Sequence, residues 1–456
     1  MPLRNLTLER TSDLSPSSNR VPLRLRIFHS LLFLIPGVLL IVDLALTGSG
    51  QWSEPLGFSV RRLSLLMIMG YSFVAWILSA RIPHALGAVL ALALFILIWG
   101  VDLPLLHQVP FPDAMNDSQL FLGLLFAPAL TQMIMRIGCW PGTLRLIERL
   151  IWVLAFLHIA IFLYYKIFPD NALELIATVR SILEPNRSAF GETNFIIGPG
   201  LDGFRVFWGS SIFLLLGIYF SVVNFGRYRR LVSLVILLTI AFAIELTLTR
   251  AMQLSIPLFL VLAWAFDRLL IRLRLGTALY VLLGIALLAV TLPIVLLANP
   301  TLLSAIDLAR QISDHLRYEQ ISALTNGIMA NPWFGGGLGA HVDLIRSEAS
   351  PWIYELGMLA LYMKIGFIGA LCLVAVFMLF GRSERVDIHG HRRLPSTTRR
   401  TLSRLAALLC CIIFCSNTNP YLFSMLGWGL LMFTYVEFCV VMRKWQVTVA
   451  QTQPAG

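Results

Sequence analysis

Apolar runs of about 18 residues or more recur along almost the whole chain, and nothing else in the sequence constrains its fold as much. Each is long enough to cross the roughly 30 Å hydrocarbon layer of a bilayer as a helix. In that layer a spanning segment must satisfy its own backbone N–H and C=O groups, which favours helices. Twelve such runs occur, near 27–47, 63–80, 86–104, 119–136, 149–168, 206–224, 231–248, 251–267, 276–298, 353–380, 402–416 and 421–442. Charge usage agrees: 13% of residues are Asp, Glu, Lys or Arg and 58% are hydrophobic, where a soluble domain carries about 25% charged residues. The sequence predicts an all-α polytopic membrane protein of twelve transmembrane helices, not a large soluble core.

This gives a polar tail over 1–26, a single transmembrane domain over 27–442 and a second tail over 443–456. No small-residue cleavage site follows the first span, so no cleavable signal peptide is expected. Basic residues set the orientation, because Lys and Arg accumulate on the cytoplasmic side. With both termini cytoplasmic, 24 basic residues fall on that side and nine outside: Arg61, Arg62, Arg180, Arg187, Arg205, Arg250, Arg310, Arg317 and Arg346. The net charge of +11 therefore reads as membrane orientation, with no nucleic-acid partner. The six cysteines, Cys139, Cys372, Cys410, Cys411, Cys415 and Cys439, lie in or beside spans and read as small buried hydrophobes. No CxxC or His/Cys metal spacing occurs, so no metal is expected.

Two long loops face outward, over about 169–205 and 299–352. In the second, Leu303, Ile306, Ala309 and Ile312, then Ile321, Leu324 and Ile328, recur every three or four positions. That period predicts one or two amphipathic helices on the outer membrane face. Pro332 ends the pattern, and the stretch "NPWFGGGLGAHVDLIRSEASPWIYELG" leads into the tenth span.

Outer arginines run against the orientation rule, so Arg205, Arg250 and Arg317 are read as guanidinium forks for phosphate or pyrophosphate. The structural alternative for each is anchoring at lipid headgroups. Glu355, at the start of the tenth span, is a candidate general base; a partly desolvated carboxylate suits that work near neutral pH. Tyr362 lies two helical turns further on, and a helix beginning before Glu355 would put both on one face. Glu348, Arg346, His341 and His315 are further polar candidates in the same loop. Gly335, Gly336 and Gly337 would let backbone approach a sugar or phosphate closely, or form a hinge. Lys364 lies in mid-span, where a charge is a functional candidate by default, with Glu245 as a possible partner or with a structural pair as the alternative. Asn417, Asn419 and Tyr421 near the last outer turn could bind sugar hydroxyls or cap a helix.

Several of these stretches together resemble the O-antigen ligase and Wzy-type polymerase superfamily. "RYEQISALTNGIMANPWFGGGLG" followed by a helix bearing "KIGFIG" resembles its Arg-to-NPxxGxGxG loop and following span. "GFRVFWGSS" resembles its Arg-containing start of a middle span, "LTLTRAMQL" its short Arg hairpin, and "NPYLFSMLG" its late Asn-containing span. The likeness covers about 200–435. A His-Asn pair found in the ligases is absent, and Glu355 stands where the His would be.

The resemblance implies a GT-C-like glycosyltransferase in a bacterial inner membrane, with the large periplasmic loop between spans 9 and 10. It would act on undecaprenyl-diphosphate-linked oligosaccharide as both donor and acceptor. The missing His-Asn shifts the expectation to a polymerase of O-antigen, lipopolysaccharide or exopolysaccharide repeat units, inverting, with neither cofactor nor metal. A flippase and a chain-length regulator would be its partners. Glu355, Arg250 and Arg317 would be catalytic; Arg205, Gly335, Gly336, Gly337, His341, Arg346, Glu348, Tyr362 and Asn419 would bind substrate. Two alternatives remain open: a ligase moving a finished glycan to lipid A core or protein, and a twelve-span secondary transporter using Lys364 and Glu245.

Overall fold

A computed structural model describes residues 23–46, 60–77, 85–169, 174, 177–178, 196–200, 203–226, 230–272, 311–344, 351–383, 394–417 and 424–451. The expected ninth span, 276–298, lies outside them. In chain order the helices are α1 (Leu23–Leu46), α2 (Val60–Ile77), α3 (Leu86–Leu97), α4 (Leu103–Leu106), α5 (Phe111–Asp117), α6 (Gln119–Leu125), α7 (Ala127–Ile137) and α8 (Trp140–Ile167). They continue with α9 (Leu214–Val223), α10 (Arg230–Leu246), α11 (Arg250–Arg272), α12 (Gln311–Ala330), α13 (Gly357–Ser383), α14 (Ser396–Ser416) and α15 (Met425–Gln451).

Among the described residues, five helical stretches are long and apolar enough to cross a membrane: Leu86–Leu106, Trp140–Ile167, Arg250–Ile271, Gly357–Phe380 and Leu426–Thr448. The α6–α7 pair, bent by 45°, makes a sixth if counted as one span. Shorter apolar helices occur at Leu31–Ala45, Leu63–Ile77, Gly209–Val223 and Leu231–Leu246. The described chain is thus α-helical, with helices of membrane-spanning length. Large side chains such as Leu66, Leu90, Val235, Leu238 and Trp264 point out of the bundle and are more than half exposed, as a lipid-facing surface requires.

The hub is the stretch from Trp208 to Ser221, buried at every position. A 3₁₀ turn over Gly209–Phe213 opens it and α9 continues it. α9 packs on α8, α10, α11 and α14, and α14 in turn lies along α11 and α15. Being apolar all round, α9 belongs at the centre of such a bundle. The hub's one buried imidazole is held on both nitrogens. His158 of α8 is fully buried, stacks on Trp208 at 4.0 Å between ring centroids and bonds the Ser211 hydroxyl at 2.9 Å. Its Nδ1 lies 2.8 Å from the Leu154 carbonyl, an acceptor only, so Nδ1 carries the proton and Nε2 accepts from Ser211. The Trp208 N–H donates to the same serine oxygen at 3.0 Å.

One feature departs from an all-helical expectation. Strands β1 (Ile196–Gly200) and β2 (Gly203–Phe207) form an antiparallel hairpin in register Ile196↔Phe207 to Gly200↔Gly203. The turn-rich "GPGLDG", which runs from the end of β1 to the start of β2, is the sequence signal for it.

Candidate functional site

The Gly-rich loop after α12 does not hang free; it docks into a break in α13. Gly366 adopts φ +62° and interrupts that helix. A broken helix leaves carbonyls and N–H groups without partners, and the loop supplies them. Gly336 N–H donates to the Met363 carbonyl at 3.1 Å and Gly337 N–H to the Lys364 carbonyl at 2.8 Å. In return Phe367 and Ile368 N–H donate to the Pro332 and Trp333 carbonyls at 3.0 and 2.9 Å.

α3 closes the joint from the other side. Its last residues pass into a π-helical turn, Ile98–Asp102, which leaves the Trp99 carbonyl to accept Leu338 N–H at 2.7 Å. The Trp99 indole N–H reaches both the Phe334 and Ile365 carbonyls, at 2.8 and 3.0 Å. Close approach explains the glycines: a Cβ at Gly335 would stand 2.3 Å from the Lys364 carbonyl oxygen, and one at Gly337 2.6 Å from Pro104. The amides of Gly335, Gly336 and Gly337 are all bonded within the chain, so here they position the loop rather than face a ligand.

Lys364 lies in this joint, 4% exposed. Its Nζ pairs with Asp117 Oδ2 at 2.7 Å and donates to the Trp352 carbonyl at 2.9 Å. Asp117 Oδ2 also accepts Gly339 N–H at 2.8 Å. The partner is therefore Asp117, at the end of α5, and not Glu245, which is exposed on α10. One ion pair thus ties α5, the glycine loop, α13 and the segment before α13.

That tie also moves Glu355. Lys364 and the buried Tyr354, whose hydroxyl accepts Val342 N–H at 2.8 Å, fold 351–356 back against the helix. α13 begins only at Gly357, so Glu355 sits in a bend before it and the two-turn relation to Tyr362 does not arise. Burial pushes the Tyr354 phenol above its ordinary range, so it stays an O–H at neutral pH. Glu355 and Tyr362 are half-buried and His341 is exposed. α12 docks beside them: Leu324, Ala340, Tyr354, Leu359, Ala360 and Met363 form a satellite core. One face of its second half, through Ile321, Leu324 and Ile328, is thus packed against protein.

A second cluster forms where β2 meets the α10–α11 turn. Arg205 of β2 donates through Nε to the Thr247 carbonyl at 2.9 Å and through Nη2 to Thr249 Oγ1 at 3.4 Å. Its guanidinium lies 4.9 Å from the Phe207 ring centroid. Between the threonines, Leu248 takes φ +47°, an uncommon conformation for a bulky residue. Arg250 follows as the exposed first residue of α11, at the positive end of a 23-residue helix. The Arg205 guanidinium, a strained turn and the N-terminus of the helix that Arg250 opens thus meet, a chemistry that suits an anion.

Arg317 lies on α12; Arg346, Glu348 and Asn419 lie outside the described residues. Asn417 caps α14 through the Ile413 carbonyl at 3.4 Å. Cys139, between α7 and α8, has its thiol raised by burial, which makes it a poor thiolate. Among the described residues no group of three or more His, Cys, Asp or Glu could hold a metal ion. Sequence reasoning passed over Asp117, Trp99 and His158. Of these His158 carried a signal, as a lone polar residue inside "WVLAFLHIAIFL". Comparison with known protein families and with curated proteins finds no match for this chain.

Proposed function

We propose that the chain is a membrane-embedded glycosyltransferase of the GT-C class that polymerises undecaprenyl-diphosphate-linked oligosaccharide repeat units at the outer face of a bacterial inner membrane. In this reading it has twelve spans and both termini in the cytoplasm. The Arg205–Thr247–Thr249–Arg250 corner is the observation that carries the reading. Cleaving a glycan from lipid diphosphate leaves negative charge on the diphosphate, and fixed guanidinium donors stabilise such charge as it develops. The acceptor hydroxyl attacks the anomeric carbon and its proton passes to a carboxylate, for which Glu355 is the candidate. The bond to the diphosphate breaks, and the undecaprenyl diphosphate leaves. Direct displacement inverts the anomeric centre.

The transporter alternative leaned on a Lys364–Glu245 pair, which does not form. The test is a deletion strain whose lipid-linked and surface glycans are resolved by gel and mass spectrometry. Single repeat units without long chains support polymerisation. Complementation with Arg250→Ala is then expected to lower polymer formation about 10²–10³-fold, and Glu355→Gln to lower it while the protein still reaches the membrane. Full polymer with Arg250→Ala would remove the corner from the mechanism. Finished chains stranded on the carrier would make the protein a ligase, and unchanged glycans would return transport.

A further inference from the structure

A cavity of about 560 Å³ lies between α1, α7, α8, α9 and α15. It is apolar over nearly all its wall. One face of α1, from Phe33 through Leu40 to Ala45, lines it, which is about 18 Å of helix at 1.5 Å per residue. Trp428 and Phe433 line the facing side. Its polar rim is confined to the α7–α8 connection, where Thr143 and Arg145 reach it. An apolar cavity far smaller than this stays dry, and an unfilled wall this long would forfeit packing contacts throughout.

The exposed charges near the rim are basic, while the one carboxylate at the connection, Glu437, is taken up by the Trp140 indole N–H and the Tyr219 hydroxyl. Arg145 is exposed at the first turns of α8, and Arg136 is exposed in the last turn of α7. Arg443 of α15 is exposed beside the end of α7, 3.6 Å from the Met135 sulfur. None of the three forms an ion pair among the described residues. Glu148, nearby on α8, instead accepts from the Asn224 amide at 2.8 Å. His158, which meets the Trp208–Ser211 turn just after Arg205, is thirteen residues along α8 from Arg145, about 20 Å at the helical rise. The rim is thus remote from the arginine corner.

We infer that this cavity binds one acyl chain of an anionic glycerophospholipid drawn from the surrounding bilayer, with the lipid phosphate held by Arg136, Arg145 and Arg443. The inference is independent of the glycan reading. No atom lies within 4 Å of where a Cβ would stand at Gly37, on the cavity-lining face of α1, so a larger side chain there enters the space the lipid occupies.

The test is native mass spectrometry of the full-length protein in mild detergent, with phosphatidylglycerol and phosphatidylethanolamine offered together. Wild type is expected to retain one phosphatidylglycerol in preference to phosphatidylethanolamine. Arg145→Glu is expected to cut that preference about fivefold or more, since each basic residue near a charged lipid surface is worth roughly that factor. Gly37→Phe is expected to lose both lipids. Wild type holding no lipid, holding the two equally, or holding a polyprenyl lipid instead would overturn the proposal. So would a folded Gly37→Phe that retains as much as wild type. Should Gly37→Phe fail to fold, the preference measured on the exposed Arg145→Glu still decides.

Discussion

Lys364→Met is expected to destabilise the protein by about 3–5 kcal/mol, the usual effect of removing one partner from a buried ion pair. Asp117 would be left 4% exposed with only the Gly339 N–H to offset its charge, and the Trp352 carbonyl would lose its donor. Asp117→Leu should do comparable damage from the other side. Joining the two substitutions should return much of the loss, because an apolar pair of similar volume often replaces a buried ion pair at little cost. The measurement is the unfolding transition of detergent-solubilised protein for the two single variants and the double. A single variant within about 1 kcal/mol of wild type would show that the pair does not hold the joint. The double variant also separates structure from chemistry. If it is stable and keeps the activity proposed above, the buried charge is architectural; if it is stable and inactive, Lys364 has a part in function beyond packing.

The helices were legible because their signal is local. Eleven of the twelve apolar runs read from the sequence fall on described helices, since length and hydropathy alone decide whether a segment can satisfy its backbone in lipid. What was not legible is what depends on contact between distant segments. The sequence offered Glu245 as partner for Lys364 because both sit in spans; the partner is Asp117, at the end of the short helix α5 and more than two hundred residues away in sequence. The helix of "SPWIYELGMLALYMK" was expected to begin before Glu355. It begins two residues later because Lys364 holds the Trp352 carbonyl, a tertiary bond overriding a local pattern. The glycines read as a hinge or a substrate cradle. They are the tightly packed half of a joint whose other half, "KIGFIG", lies some thirty residues downstream. That relation gives a physical reason for the two stretches to occur together. The arginine corner was the most readable part of the site, because arginines that the charge count assigns to the outer side stand out against the orientation rule. Its convergence on Thr247 and Thr249 needed coordinates.

The same joint gives the sharpest contrast available from a single type of change. Gly366→Ala is expected to cost about 3–5 kcal/mol. At φ +62° and ψ −171° the backbone is in a region essentially reserved for glycine, and another residue there carries about 1–3 kcal/mol of strain. Its Cβ would stand 2.5–2.6 Å from Gly335 N and from the Trp333 carbonyl carbon and oxygen. These are backbone atoms that cannot swing aside, so the overpacking adds about 1–3 kcal/mol, and a displaced loop also gives up some of its hydrogen bonds to α13. Gly70→Ala, within α2, makes the identical chemical change where no atom lies within 4 Å of the new Cβ and φ is ordinary. There the expected sign reverses, with a gain of about 0.5–1 kcal/mol, because alanine surrenders less conformational freedom than glycine on entering a helix. Unfolding transitions of the two variants, measured in the same detergent, test the contrast. If Gly366→Ala unfolds with wild type, α13 is not broken at Gly366 in the working protein and the loop does not lock into it. If it unfolds early while Gly70→Ala does not, then the joint requires glycine at 366 for its positive φ and the close backbone approach together, and glycine within a helix is not in itself what stabilises the fold.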